Sequence, residues 1–433
     1  MEKERLSILP NAVEIAQLRP DFVNGWIKTC CDAISYENYD YQHSNHMDDV
    51  LTDANVLFEG FQRAKQCSSW KPSVQSFELR LLNNLALIQD DFIERTYGIS
   101  PTYDFILNER GKIRYVSGEN VRDRVPKHAI CDNILNPELR KYLIYDNSAS
   151  VKERGITFAR NRLETHLHRF YRQNNCSNEG YILIIDFRKY YDNLLHEVLY
   201  RFFEGHVSNE LCLWFIKQIL HSSEIDVSYL SDEQYEDAMG QLFNSLEYHK
   251  TIDRIDRSLL TGEKTLKKHL NIGDQVAQIA GITYPIPYDN YVKIVKGEKF
   301  FARYMDDSYV IHRSKEHLQE LLKELLVVTR ELGITINENK TRIVKLSQGW
   351  RYLQIKYQLH ESGHVSTRIN PKRIHAMVRK LPKIAGILGD ETEFANYYKS
   401  WFNGQRRYMS RDQRIRLHKL YHQIKEEKFR CIE

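Results

Sequence analysis

FFARYMDDSYVIHR, residues 300–313, carries two β-prone runs that break at Met305-Asp306-Asp307, which predicts a hairpin with adjacent carboxylates at its tip. KEHLQELLKELLVVTRELG follows at 315–333, with apolar residues three and four apart, and predicts an amphipathic helix ending at Gly333. Well upstream, YILIID (181–186) is a continuous apolar run closed by Asp186, the pattern of a buried central strand whose tip meets solvent. The alternation of strand, helix, hairpin and helix predicts an α+β fold. Between these elements, Ser222–Lys268 is polar and charge-mixed, and reads as an insertion.

Two Asp at a hairpin tip and a third at the end of a neighbouring strand repel one another, and a divalent cation relieves that repulsion. Oxygen ligands of this type suit two Mg²⁺ ions, with Mn²⁺ as a substitute, which together serve in-line phosphoryl transfer. The alternative for an isolated Asp-Asp pair is a surface turn.

Composition narrows the classes. The chain has 433 residues, 42% hydrophobic and 28% charged, with only 10 Pro and 19 Gly, which excludes a short peptide module and large-scale disorder. Seven Cys without a CxxC pair signal neither a disulfide framework nor a zinc ribbon. No run of about 18 apolar residues occurs and the first residues lack the order of a secretion signal, so the expected location is the cytoplasm, away from membranes. The net charge is +4, but from Asn370 onward 15 Lys and Arg face 7 Asp and Glu. That basic end suits either a polyanion or a solvated helical surface. Residues 55–97 read as two amphipathic helices, YDFILNERGKIRYVSG (103–118) as a hairpin around Glu109-Arg110-Gly111-Lys112, and Val151–Gln173 as a basic helix.

In order along the chain, these segments resemble the reverse transcriptases, specifically the bacterial group that includes group II intron, diversity-generating retroelement and defence-associated enzymes. Tyr304-Met305-Asp306-Asp307 resembles the family's Tyr-x-Asp-Asp box, and IIDFRKYYDNLLHE (184–197) its first carboxylate motif. The resemblance implies Asp186, Asp306 and Asp307 as catalytic residues and Asp186, Phe187, Asp306 and Asp307 as metal-site positions. It implies Tyr191 beneath the incoming sugar, selecting dNTP over NTP. Arg114 falls where an Arg binds the triphosphate. The family's Lys six residues earlier is Asn108 here, which leaves Arg110 or Lys112 to substitute.

IGDQVAQIAG (272–281) occupies the place of the segment that lies against the nascent base pair. Ile272 stands where Gln is usual, followed by Gly273 and then Gln278, nearest the diversity-generating pattern. This smaller hydrogen-bonding repertoire implies looser fidelity. Lys340 in INENKTRIV matches a Lys that donates a proton to pyrophosphate, with an exposed loop Lys as the alternative. WRYLQIKY (350–357) resembles the primer-holding hairpin, with Gln354 in place of Gly. Trp401, Arg406, Arg407 and Tyr408 resemble a duplex-gripping surface, and Arg122 and Arg124 either line the template or face water.

The implied architecture is a right-hand polymerase: an N-terminal extension (1–50), fingers (51–180), an RRM-like antiparallel palm (181–368, insertion 222–268) and a basic helical thumb (369–433). The implied function is RNA-directed DNA synthesis from an RNA template, dNTPs and Mg²⁺, in antiphage defence with a dedicated noncoding RNA. The alternatives are a diversity-generating enzyme, an untemplated or protein-primed DNA polymerase, and a non-catalytic RNA-binding scaffold. Both a homo-oligomer and a second protein partner stay open.

Overall fold

The apolar run 181–186 forms the strand Tyr181–Asp186, buried from its second residue to its last. It lies inside a four-stranded antiparallel sheet whose order is Phe301–Tyr304, Asp307–His312, Tyr181–Asp186, Arg342–Lys345. An interior strand covered on both faces has no polar face to alternate with, hence the unbroken YILII. The computed structural model describes residues 49–109 and 112–429. The described residues fall into two compact units, one from the residues up to Ile144, Arg188–Tyr288 and Val328–Thr335, the other from Tyr145–Phe187, Asp289–Val327 and the residues from Ile336 on.

The second unit holds this sheet, a three-stranded antiparallel sheet of Trp350–Tyr352, Ile355–Leu359 and Val365–Ile369, and the helices Ile156–Gln173, Pro371–Leu388, Glu391–Gln405 and Arg411–Phe429. One apolar cluster joins them. Leu163 and Leu167 come from the first helix, Ile182 and Ile184 from the central strand, Trp350 and Tyr357 from the small sheet, and Leu381, Phe394 and Leu417 from the last three helices. Pro371–Leu388 buries Ile374, Met377, Leu381 and Ala385, three and four residues apart, on a single stripe. Each fully buried Leu or Ile contributes about 1.5–3 kcal/mol. The basic helix expected from Val151 begins only at Ile156. Glu153 at φ 66° and Gly155 at φ 135° keep the preceding residues out of the helical region.

In the first unit the stretch 55–97 makes three helices rather than the expected two: Ala54–Ala64, Pro72–Leu79 and Leu81–Ile93. Arg80 leaves the helical region (φ −120°, ψ 33°), and the Asn84 side chain donates to the Phe77 carbonyl (2.9 Å) that the break exposes. The hairpin Tyr103–Glu109/Lys112–Gly118 has the expected register, Glu109 opposite Lys112. The polar stretch 222–268 is ordered. Ile225–Asp226 pairs with Thr265–Leu266, and a small core of Ile225, Val227 and Leu266 anchors the helices Asp232–Gly240 and Ser245–Ile252. Lys268 Nζ donates to the carbonyls of Ala238 (3.0 Å), Met239 (3.3 Å) and Gln241 (2.7 Å), closing the C-terminal end of the first of these helices. Among the described residues no helix is long and apolar enough to cross a membrane. The acidic N-terminal extension lies, up to residue 48, outside the described residues.

Candidate active site

Asp186 is the last residue of its strand and stands opposite Asp307 in the antiparallel register. Directly opposed residues in such a pair have Cα atoms about 4.5–5.5 Å apart. Asp306 precedes Asp307 in the tight bend of the hairpin, where Met305 adopts a left-handed conformation (φ 54°) that a residue with a Cβ rarely takes. Two contacts hold this bend. The Phe187 N–H donates to the Asp306 carbonyl (3.3 Å), tying the hairpin tip to the central strand. Arg303 Nη1 donates to the Met305 carbonyl (3.0 Å), and Arg303 is itself fixed by Asp289 through Nε (2.8 and 3.0 Å) and Nη2 (2.7 Å). Arg303 is 0% exposed and Asp289 1%. Burial pushes the Asp289 carboxyl up, and the Arg303 guanidinium acts against that shift.

The Asp186 carboxylate accepts from Lys340 Nζ on both oxygens (2.8 and 2.6 Å) and from Asn337 Nδ2 (2.8 Å), while the Asn337 N–H donates back to the Asp186 carbonyl (2.8 Å). Lys340, expected either at pyrophosphate or free in a loop, is thus the countercharge of Asp186. Three carboxylates on one sheet edge give an oxygen-only donor set, which fits a hard divalent cation. The Lys340 ammonium neutralises the Asp186 carboxylate. Among the described residues no three His, Cys, Asp or Glu side chains already converge as a metal cage.

Other expected residues lie in the first unit. Tyr191 opens the turn Tyr191–Asn193 and packs on the helix Gln275–Thr283. A Cβ added at Gly281 would come within 2.4 Å of the Tyr191 hydroxyl, so only Gly permits this contact. Ile272, Gly273 (φ 113°) and Gln278 line a cavity of about 340 Å³ together with Tyr103, Phe105 and Arg124. Arg114 is exposed on the hairpin, the Lys112 backbone belongs to the same strand, and Arg110 lies outside the described residues.

Arg122 and Arg124, expected to line the template or face water, are half-buried and both have protein acceptors. Arg122 pairs with Asp91 (2.5 Å), donates to the Gly98 carbonyl (2.9 Å) and covers the Tyr97 ring, and Arg124 donates to the Ala64 carbonyl. In the second unit Arg407 is held by Glu164 and Asn161 (2.8 Å), Arg406 is exposed, and Trp401 is half-buried against the apolar cluster. Tyr408, expected at a duplex-gripping surface, is instead 5% exposed within that cluster.

Sequence reading missed the buried group at the cavity wall. Lys127 Nζ pairs with Asp274 (2.8 Å) and with Glu119, and Asp274 caps the helix Gln275–Thr283 by accepting from the Val276 N–H (2.8 Å). Two acids share one ammonium. Burial, then the Asp274 charge, push Glu119 up to about 7 against the pull of Lys127. Because the folded state holds this proton more tightly than the unfolded chain, the contribution is complete below about pH 4.5 and is lost as pH rises through 7. Glu119→Gln, which cannot ionise, is expected to gain on the wild type between pH 5 and pH 8, at up to about 1.4 kcal/mol per pH unit. Urea midpoints across that range check this, and parallel pH profiles for the two proteins would refute it.

No curated protein matches the chain. Among solved structures it is similar to telomerase from Candida albicans in complex with a TWJ fragment of telomeric RNA, at 12% identity and TM-score 0.40, over 78% of this chain and 63% of that one. It is also similar to apo telomerase from Candida tropicalis, at 14% identity and TM-score 0.41, over 77% of this chain and 59% of that one. The chain therefore spans less than two thirds of the length of either. The family described as reverse transcriptase (RNA-dependent DNA polymerase) matches residues 106–357, more than half of the sequence. That span contains the central strand, the Asp306-Asp307 hairpin, Lys340 and the Lys127–Asp274 pair, and the chain belongs to the reverse transcriptase family, with its α+β right-hand polymerase fold.

Proposed function

We propose that this chain copies RNA into DNA by nucleotidyl transfer at Asp186, Asp306 and Asp307. The observation that carries the reading is the register that sets Asp186 opposite Asp307, with the bend closed by Phe187 and Arg303. Bound there, two divalent cations, Mg²⁺ or Mn²⁺, would activate a primer 3′-hydroxyl and steady the departing phosphate oxygen. The protein's part is orientation. Asn337 fixes the rotation of the Asp186 carboxylate, and the half-exposed Lys340 would turn from Asp186 to a departing pyrophosphate.

In the same reading Tyr191, held by its fit to Gly281, excludes a 2′-hydroxyl. Arg114 and Lys112 meet the triphosphate, Ile272, Gly273 and Gln278 meet the new base pair, and Trp401 and Arg406 meet the duplex. Residues 51–180 act as fingers, 181–368 as palm and 369–433 as thumb. The finer assignment is to the bacterial branch, supported by the Ile272-Gly273…Gln278 pattern; within that branch the proposed role is antiphage defence with a dedicated noncoding RNA, and the diversity-generating role, to which that pattern is nearest, is the alternative.

The test is extension of a DNA primer annealed to RNA by the full chain with Mg²⁺ and labelled dNTPs, followed by sequencing of the product. Product complementary to the RNA is expected. Untemplated product, or RNA binding without synthesis, would overturn the reading. RNA that copurifies with the protein, sequenced with its cDNA, checks the defence assignment, for which a single recurrent noncoding species is expected.

A further inference from the structure

We propose that Asp192 and Asn193 are positioning residues through which the polar stretch 222–268 sets the place of Tyr191, and with it the discrimination between deoxyribo- and ribonucleotides. This rests on the reading of Tyr191 as the side chain that excludes a 2′-hydroxyl. Tyr191–Asn193 is a single 3₁₀ turn, too short to hold its own shape. Its fixings come from elsewhere in the chain. The Leu270 N–H donates to the Tyr191 carbonyl (2.9 Å), and the neighbouring Tyr190 hydroxyl donates to the Gly281 carbonyl (2.9 Å). The remaining ties run to residues 243–245, inside the polar stretch.

The Asn193 amide pairs with Phe243 as a neighbouring strand would. Its Oδ1 accepts from the Phe243 N–H (2.8 Å), and its Nδ2 donates to the Phe243 carbonyl (3.1 Å) and to the Lys189 carbonyl (2.9 Å). Asp192, 6% exposed, accepts from the Ser245 N–H (3.3 Å) and lies 3.5 Å from His269 Nδ1. Lys189 Nζ donates to Asn244 Oδ1 (2.7 Å). Residues 243, 244 and 245 thus each hold a different residue of the segment 189–193, which fixes it against rotation as well as displacement.

Phe243 is itself rooted. Its ring packs on the small core of Ile225, Val227 and Leu266 and lies 6.0 Å, edge to face, from the ring of His269. The far end of the stretch closes on the same segment: the His196 N–H donates to the Lys267 carbonyl (3.0 Å), and just beyond it the His269 N–H donates to the Leu194 carbonyl (3.2 Å). His269 adopts φ 100°, a conformation that a residue with a Cβ rarely takes and that persists only where its surroundings over-determine it. A ribose differs from a deoxyribose by one oxygen atom, so a side chain that rejects it must be held to within a fraction of an ångström. Gly281 gives the Tyr191 hydroxyl its space, and the polar stretch fixes the backbone from which that ring projects.

The test measures incorporation of single dNTPs and rNTPs by the full chain on a DNA primer annealed to RNA, and takes the ratio of their kcat/KM values. Tyr191→Ala is expected to lower that ratio by about 100-fold. N193D keeps the shape of the side chain but sets an acceptor against the Phe243 carbonyl, and is expected to lower the ratio by about tenfold, with KM for rNTP falling and KM for dNTP held. Added to Tyr191→Ala it is expected to change nothing further, because both act through one ring. N244A, which cuts only the tie to Lys189, is expected to lower the ratio by about threefold and decides the matter if N193D does not fold. A wild-type ratio in N193D, or in N244A where N193D is unfolded, overturns the positioning role alone while Tyr191→Ala still lowers it. A fall in Tm without a change in ratio, or a loss that adds in full to that of Tyr191→Ala, marks a merely structural role and overturns it too. A ratio unmoved by Tyr191→Ala overturns the reading of Tyr191 as well, and a wild type that incorporates no nucleotide overturns the polymerase reading beneath both.

Discussion

Asp306→Asn and Asp307→Asn are each expected to lower dNTP incorporation by at least about 10³-fold, on the order of 4 kcal/mol of transition-state stabilisation. The change removes charge and keeps shape, so the hairpin and its register stay in place. Asp186→Asn does the same to activity and in addition frees Lys340. Because the Lys340 side chain is 51% exposed, loss of that ion pair costs the fold under about 1 kcal/mol. Single-turnover incorporation beside hybrid binding separates the two effects: rate collapses while affinity stays within a few-fold. Retention of more than a tenth of wild-type rate by any of the three variants would sink the assignment of these carboxylates.

The largest effect on stability is expected at a position with no catalytic role. Asp289→Ala leaves the Arg303 guanidinium, fully buried, without its bidentate partner, and removal of one half of such a pair costs about 3–5 kcal/mol. Arg303 also holds the Met305 carbonyl, so the loss reaches the bend that aims Asp306 and Asp307. Urea denaturation gives the free energy directly. A loss under about 1 kcal/mol would mean that Arg303 finds water or another acceptor. Asp289→Asn, which keeps an oxygen acceptor, is expected to lie between the two.

The elements that were legible from sequence are those whose pattern is local. YILIID and FFARYMDDSYVIHR have the burial and turn signals of their strands within a few residues, and the helix Lys315–Glu331 has a strong period and the expected Gly333, at φ 67°, just beyond it. The breaks were not legible, because Arg80 and the start at Ile156 are decided by backbone angles that apolar spacing does not encode. The three Asp stood out in the sequence because carboxylates at strand ends are a local signal made specific by the order of the motifs. Their supports were hidden by distance along the chain. Lys340 reaches Asp186 across 154 positions; in the first unit, apart from these carboxylates, Lys127 reaches Asp274 across 147. Arg122, Arg124 and Arg407 show the converse, because a basic residue in a suitable motif looks the same in sequence whether it meets a phosphate or a neighbouring Asp, Glu or carbonyl.

The backbone passes from one compact unit to the other five times, at residues 144/145, 187/188, 288/289, 327/328 and 335/336. Neither body can therefore be cut out as a contiguous fragment. The C-terminal helices share their apolar cluster with the strand Tyr181–Asp186, so a piece beginning at 369 would expose Leu381, Phe394 and Leu417 to water and clump. Even a cut at the exposed loop near Gly262 would part the strand Tyr181–Asp186 from both of its sheet neighbours, Asp307–His312 and Arg342–Lys345.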